Sequence, residues 1–163
     1  MKYYSSRRKT LLICIGNEYR QDDGVGLFIA KHPKIRDLRG VSIIAGSGDG
    51  LALIEAWKTK GTVILVDAVH SGRPAGTLYR FDALTTPLPA DIFLASTHNL
   101  GIPECIALSR SLGLLPEKLT FYGIEGVKFG QGTRLSAAVR ETAETAVEKI
   151  SAELSGSNPC QSP

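Results

Sequence analysis

The sequence predicts a three-layer α/β/α sandwich around a twisted, mostly parallel sheet of about five strands. Two observations carry this. Short, almost unbroken apolar runs alternate with segments of helical spacing along the chain, a pattern that builds sheets covered by helices on both faces. Three polar clusters also follow apolar runs, where sheets of this kind place their ligands, outside the carboxyl ends of the strands.

Lys9 to Ile15 (KTLLICI) is a short apolar run ending at a glycine, which suits a strand buried on both faces. Val25 to Ala30 reads as one or two helical turns ended before Pro33. Val41 to Ala45 is a second strand, followed by a turn at Gly46-Ser47-Gly48-Asp49-Gly50. Leu51 to Lys58 has helical spacing. Thr62 to Val66 (TVILV) is the most hydrophobic run and takes the central strand. Gly76 to Phe81 alternates and suits an edge or antiparallel strand. Pro103 to Leu112 is a helix and Leu119 to Ile124 a strand. In the last helix Val139, Ala143, Ala146, Val147, Ile150 and Leu154 recur at the helical period, with Ser136 as N-cap. One domain over residues 1–154 is expected, with 155–163 a disordered tail of loop composition.

With 163 residues, 43% of them hydrophobic and 21% charged, the chain has ordinary globular composition. A net charge of +3, without an aromatic or glycine pattern beside its basic residues, gives no footprint for nucleic acid. Arg7-Arg8 before Leu11-Leu12 looks like a twin-arginine export signal, yet the apolar run stops at Ile15 and acidic residues follow. No run approaches the ~18 apolar residues of a membrane helix. Three cysteines without CxxC spacing fit a reducing compartment. A cytoplasmic monomer is expected.

The clusters are Gly16 to Gly26 (GNEYRQDDGVG), Asp67 to Gly76 (DAVHSGRPAG) and Ser96 to Gly101 (STHNLG). Taken singly, each acid or imidazole has an ordinary explanation. Asp23-Gly24 suits a turn at a helix N-terminus. Asp67 suits a cap after a buried strand, and His98 and His70 suit hydrogen-bonded loop histidines. Convergence on one sheet edge changes the balance. Asp23, Asp67 and His98 would form a set of two carboxylates and one imidazole, suited to zinc, nickel or a similar divalent ion, with positions open for water or substrate.

Other chemistries have less support. The glycines at 46, 48 and 50 match neither GxxxxGK[ST] nor GxGxxG, and Asp22 and Asp23 would repel a phosphate. No GxSxG elbow exists. Cys14 lies in an apolar strand, Cys105 on a helix and Cys160 in the tail, none placed as a nucleophile.

These motifs resemble those of the hydrogenase maturation proteases, which trim the C-terminus of nickel–iron hydrogenase large subunits. Gly16-Asn17, Arg20 and Asp22-Asp23-Gly24-Val25-Gly26 are similar to the family's first signature. Val66-Asp67-Ala68-Val69, Ser71-Gly72 and Pro74-Ala75-Gly76-Thr77 resemble the second, and Ser96-Thr97-His98-Asn99-Leu100-Gly101 the third. Gly123-Ile124-Glu125 and the helix start from Leu135-Ser136 to Val139 resemble its closing pattern.

The resemblance implies a metal-dependent endopeptidase with Asp23, Asp67 and His98 as its metal-binding and, through the metal, catalytic residues. It implies nickel already held by the substrate, which those residues would coordinate, with another divalent ion replacing it in vitro. The metal would act as Lewis acid or lower the pKa of a water. Asp22 is expected to be a turn residue that supports the site without ligating. The chain departs from the family's Asp-Gly-Gly-Thr-like turn at Ala45-Gly46-Ser47-Gly48, a segment tied to the choice of hydrogenase, and carries His70 where an acid is common. A nucleoside hydrolase or phosphorylase on a related sheet and a non-cleaving metal chaperone are the alternatives.

Overall fold

A computed structural model of the chain describes residues 10–93 and 100–156. Five strands, β1 (Thr10–Ile15), β2 (Val41–Gly46), β3 (Thr62–Val69), β4 (Leu78–Asp82) and β5 (Lys118–Glu125), lie in the order β2-β1-β3-β5-β4. All neighbours are parallel except β4, which runs antiparallel to β5 at one edge. The expected fold class holds, with TVILV at the centre.

Side-chain alternation assembles two cores. Leu11, Ile13 and Ile15 of β1, with Val63, Leu65 and Val69 of β3, pack beneath α3 (Gly50–Trp57) and α4 (Ile102–Leu112). Leu12, Cys14, Ile64, Val66 and Ala68 point the other way, onto α1 (Val25–Lys31), α2 (Pro33–Arg36) and α5 (Ala137–Gly156). A strand buried on both faces must be apolar at odd and even positions alike, which is why these runs lack a polar alternation. All six periodic residues of α5 are buried. Fully burying a valine, leucine or isoleucine side chain stabilises by about 1.5–3 kcal/mol, so Val139, Val147, Ile150 and Leu154 anchor the C-terminal helix.

Several boundaries differ from the expectation. Strand β3 continues through Asp67 to Val69, because its backbone ladder pairs Asp67 with Gly123 and Val69 with Glu125 after the apolar run has ended. Asp67 is therefore inside a strand and caps nothing. Pro33 opens the short helix α2, capped by His32, whose Nδ1 accepts from Lys34 N at 3.2 Å. The 46–50 turn ends earlier than expected: Asp49 caps α3 by accepting from Ala52 N at 3.0 Å. Ala90–Phe93 is a 3-10 turn, so Ile92 and Phe93, which open the apolar run before the third polar cluster, do not form a strand; residues 94–99 lie outside the described residues. Helix α5 reaches Gly156, and the rest of the expected tail lies outside the described residues. No helix among the described residues is long and apolar enough to cross a membrane.

Candidate active site at the carboxyl edge of the sheet

The chain leaves β1 at Gly16 and turns back through a 3-10 turn, Gln21–Gly24, into α1. Two glycines permit that path. A Cβ on Gly16 would lie 2.0 Å from the Asp23 carbonyl oxygen, and one on Gly26 would lie 2.3 Å from that of Ile15. The turn thus presses against the end of β1, with Asp23 above the sheet edge. Asn17 N donates to the Asp23 carbonyl at 3.2 Å, and Arg20 Nη1 approaches the Asp23 carboxylate at 3.7 Å. Gln21 is held at φ +52 while its N–H donates to Gly132 O at 2.8 Å. A non-glycine residue in that region costs about 1–3 kcal/mol and persists because its surroundings over-determine it.

Asp22, the next residue, fastens the turn further. It is fully buried and accepts from Val127 N, Lys128 N, Ser136 N and Ser136 Oγ at 2.7–3.0 Å. Burial alone would raise its pKa, but these four donors outweigh it and hold the carboxyl below its ordinary value. The first signature is thereby fastened to the loop before α5. Ser136 does stand at the helix start, its carbonyl accepting from Arg140 N at 2.9 Å, while its hydroxyl serves Asp22.

Asp67 reaches the same edge from β3. It is 6% exposed, and its pKa is pushed up to about 8, first by burial and then by the charge of Asp23, against a smaller opposing effect from the Ala68 N–H. The structure therefore brings two of the expected residues, Asp23 and Asp67, into electrostatic contact. Burial and a second acid both favour the neutral form of a carboxyl, and an arriving cation favours the charged form. Such an oxygen pair fits a hard or borderline divalent ion. Among the described residues no three His, Cys, Asp or Glu form a metal-binding group, and His98 lies outside them.

Glu125, at the end of β5, was quoted in the closing motif without a role. It is fully buried, and its carboxylate accepts from Ser71 N at 2.8 Å, Ser71 Oγ at 2.8 Å and Gly72 N at 3.1 Å. It thus shapes the loop that leaves β3 after Val69. His70 stands half exposed in that loop, edge-on to Phe129, with Nδ1 3.4 Å from Gly126 O and 3.9 Å from Glu125. The sequence signal for this link was the co-occurrence of Ser71-Gly72 and Gly123-Ile124-Glu125, whose contact is visible only once β3 and β5 are paired.

Neither described cysteine is poised as a nucleophile. Burial pushes Cys14 up to about 12, and burial, with the charges of Glu104 and Asp49, pushes Cys105 up to about 11. Cys160 lies outside the described residues.

Comparison with known proteins follows the same lines. The hydrogenase expression/formation protein HupD of Thiocapsa roseopersicina is 27% identical over 143 residues, covering 85% of this chain. The alignment takes in 64% of that protein, so the chain spans just under two thirds of this relative's length. The hydrogenase 2 maturation protease of Escherichia coli (strain K12) is 26% identical over 151 residues, 90% of each chain. Among solved structures, the hydrogenase maturating endopeptidase HybD from E. coli has a TM-score of 0.73 at 23% identity, covering 92% of this chain and 94% of that one. The NiFe hydrogenase maturation protease HybD from Thermococcus kodakarensis gives 0.68 at 23% identity, covering 90% and 99%. These likenesses bear out the fold. A sequence model of the family described as hydrogenase maturation protease (HycI) matches residues 29–153, which take in the second, third and closing motifs, and on that match this chain belongs to the hydrogenase maturation protease family.

Proposed function

We propose that this protein is a peptide-bond hydrolase that removes the C-terminal extension of a nickel–iron hydrogenase large-subunit precursor after nickel insertion, and that the nickel held by the precursor is what it recognises. The observation that carries this is the electrostatic contact of Asp23 with the buried Asp67, a pair that calls for a cation at the edge where α/β sheets bind ligands. Family membership supports the reaction class.

Asp23, Asp67 and His98 are the residues proposed to meet the substrate's metal. When bound, the ion would supply Lewis acidity and lower the pKa of a nearby water. The chain's own residues prepare that encounter. Asp67 gives up its proton as the cation approaches, so binding and deprotonation are one event. Gly16, Gly26 and the Asp22 hub fix the turn that carries Asp23, so that little order remains to be imposed on docking. Glu125 holds the loop from Ser71 to Gly72 beside them.

A site with two oxygens and one nitrogen has little intrinsic selectivity among divalent ions, so selectivity comes from the partner that already holds the right one. Another divalent ion takes the same place in vitro. The protein acts as a cytoplasmic monomer on the folded precursor, without nucleic acid or membrane. The experiment is intact-mass analysis of the precursor after incubation with the wild-type protein. Loss of the C-terminal segment as one peptide supports the peptidase. A complex with the precursor at unchanged mass would make the protein a metal-binding chaperone instead.

A further inference from the structure

The two edges of the sheet are built differently. Strand β4 is guarded: it carries Arg80 and Asp82, and Arg80 is tied to Glu153 of α5 at 2.8 Å. Strand β2 reads Val41-Ser42-Ile43-Ile44-Ala45-Gly46, with no charge and no proline. An unguarded edge presents unpaired N–H and C=O groups to any extended chain that meets it.

The direction of those groups follows from one hydrogen bond. Gly46 O accepts from Gly16 N at 2.9 Å, so Gly46 faces β1. In a parallel ladder the N–H and C=O of one residue point the same way, and successive residues alternate. Ser42 and Ile44 therefore face β1 as well, and Val41, Ile43 and Ala45 direct their backbone groups to the open side. The side chains of Ile43 and Ala45 line a shallow cleft of about 380 Å³, shared with Ala30, Lys31 and Arg36. Lys31 pairs with Glu18, whereas Arg36 has no ion-pair partner among the described residues. On the opposite face Ile44 is 44% exposed, apolar surface that an added strand would cover.

We propose that β2 is a docking strand, to which an extended acidic segment of the protein substrate adds as a sixth strand with its carboxylate against Lys31 and Arg36. This rests on the peptidase function proposed above. Charge selects the occupant. A second copy pairing antiparallel through its own β2 would bring the Arg36 guanidinium groups of both copies, which no described carboxylate offsets, to one face of one seam, where like charges repel. An acidic segment meets those cations favourably. Strand addition also delivers the chain to the right place, because β2 ends at Gly46 beside Gly16, at the root of the turn that carries Asp23. Backbone pairing would give affinity, and the cationic cleft would give preference.

The test is an amide-resolved NMR titration of the full chain with the capped peptide acetyl-Thr-Glu-Val-Glu-Val-Thr-amide and with its counterpart carrying Lys for Glu. The acidic peptide is expected to shift the amides of Val41, Ile43 and Ala45. The lysine peptide should bind about tenfold more weakly, as should the acidic peptide to Arg36→Glu, through loss of charge complementarity. Ala45→Pro removes one outward N–H, spares the pairing with β1, and should abolish the shifts while the rest of the spectrum is kept. On the precursor it should raise KM and leave kcat unchanged. Undiminished binding by Ala45→Pro, equal binding of both peptides, or shifts lying elsewhere would overturn the proposal. So would peptide-free shifts at β2 that grow with protein concentration, because a second copy would then be the occupant. The titration involves no cleavage, so failure of the wild-type protein to process precursor would count against the peptidase function and not against the docking strand.

Discussion

Asp22 and Ser136 are joined twice: the Ser136 N–H donates to Oδ1 at 2.7 Å and its hydroxyl donates to Oδ2 at 2.8 Å. These residues lie 114 positions apart, so one carboxylate ties the first signature to the start of α5. Neighbouring acids thereby take opposite tasks. Asp22 is saturated with donors and shapes the turn, while Asp23 bears on Asp67.

Asp22→Asn should destabilise the fold, although the side chain keeps its size. It replaces one acceptor oxygen with an NH₂ group facing N–H and O–H donors, and leaving buried polar groups unmatched costs about 1–3 kcal/mol each. A loss of roughly 2–4 kcal/mol corresponds to a fall in Tm of roughly 5–15 °C for a chain of this size. The sign with pH also follows. The folded pKa is lowered, so the stabilising contribution is present above the unfolded value of ~3.9 and is lost as pH falls toward the folded one. Urea titrations of both proteins from pH 7 to pH 3 read this: the wild type should lose the advantage that Asp22→Asn never had.

Asp67→Asn should act in the opposite sense in the metal-free protein. Its carboxyl is raised to about 8 in the fold. A raised acid favours folding while protonated, and the fold loses stability as pH climbs from the unfolded pKa of ~3.9 toward 8. The variant should match the wild type near pH 4 and exceed it near pH 8. Tm measured across that range in chelator would show it, and a variant less stable at pH 8 would contradict the buried, charge-opposed placement of Asp67.

Cys14 and Cys105 should resist alkylation by iodoacetamide at pH 8 in the folded protein, because burial keeps both thiols protonated. Peptide mapping after labelling checks this, and precursor cleavage should persist through the treatment. Inactivation tracking modification of either residue would point to a thiol mechanism.

Divalent metal should bind the isolated protein weakly and with strong pH dependence. The proton on Asp67 must leave for the ion to enter, so affinity should rise by up to about tenfold per pH unit below pH 8. Calorimetry with nickel or zinc at pH 6, 7 and 8 measures the slope. A tight, pH-independent site would mean that Asp67 is not a ligand.

What the sequence made legible follows from the reach of each interaction. The buried face of α5 could be read residue by residue because helical periodicity is local, and Val139, Ala143, Ala146, Val147, Ile150 and Leu154 are all buried. The end of β3 could not. Its apolar run stops at Val66, whereas its ladder with β5 continues to Val69, and a ladder depends on a partner more than fifty residues away. Asp22 could be read as a turn residue supporting the site, but its partner Ser136, and any role for Glu125, required contacts that only the folded chain creates.

The most direct measurement compares precursor prepared with and without nickel insertion, each incubated with the wild-type protein and with Asp67→Asn, and weighs the products. Release of the C-terminal segment is expected only from nickel-loaded precursor and only with the wild type. Asp67→Asn should leave that precursor intact at a concentration where circular dichroism shows the variant fully folded. Equal processing of nickel-free precursor, or undiminished cleavage by Asp67→Asn, would contradict recognition of the substrate's metal by this acidic pair.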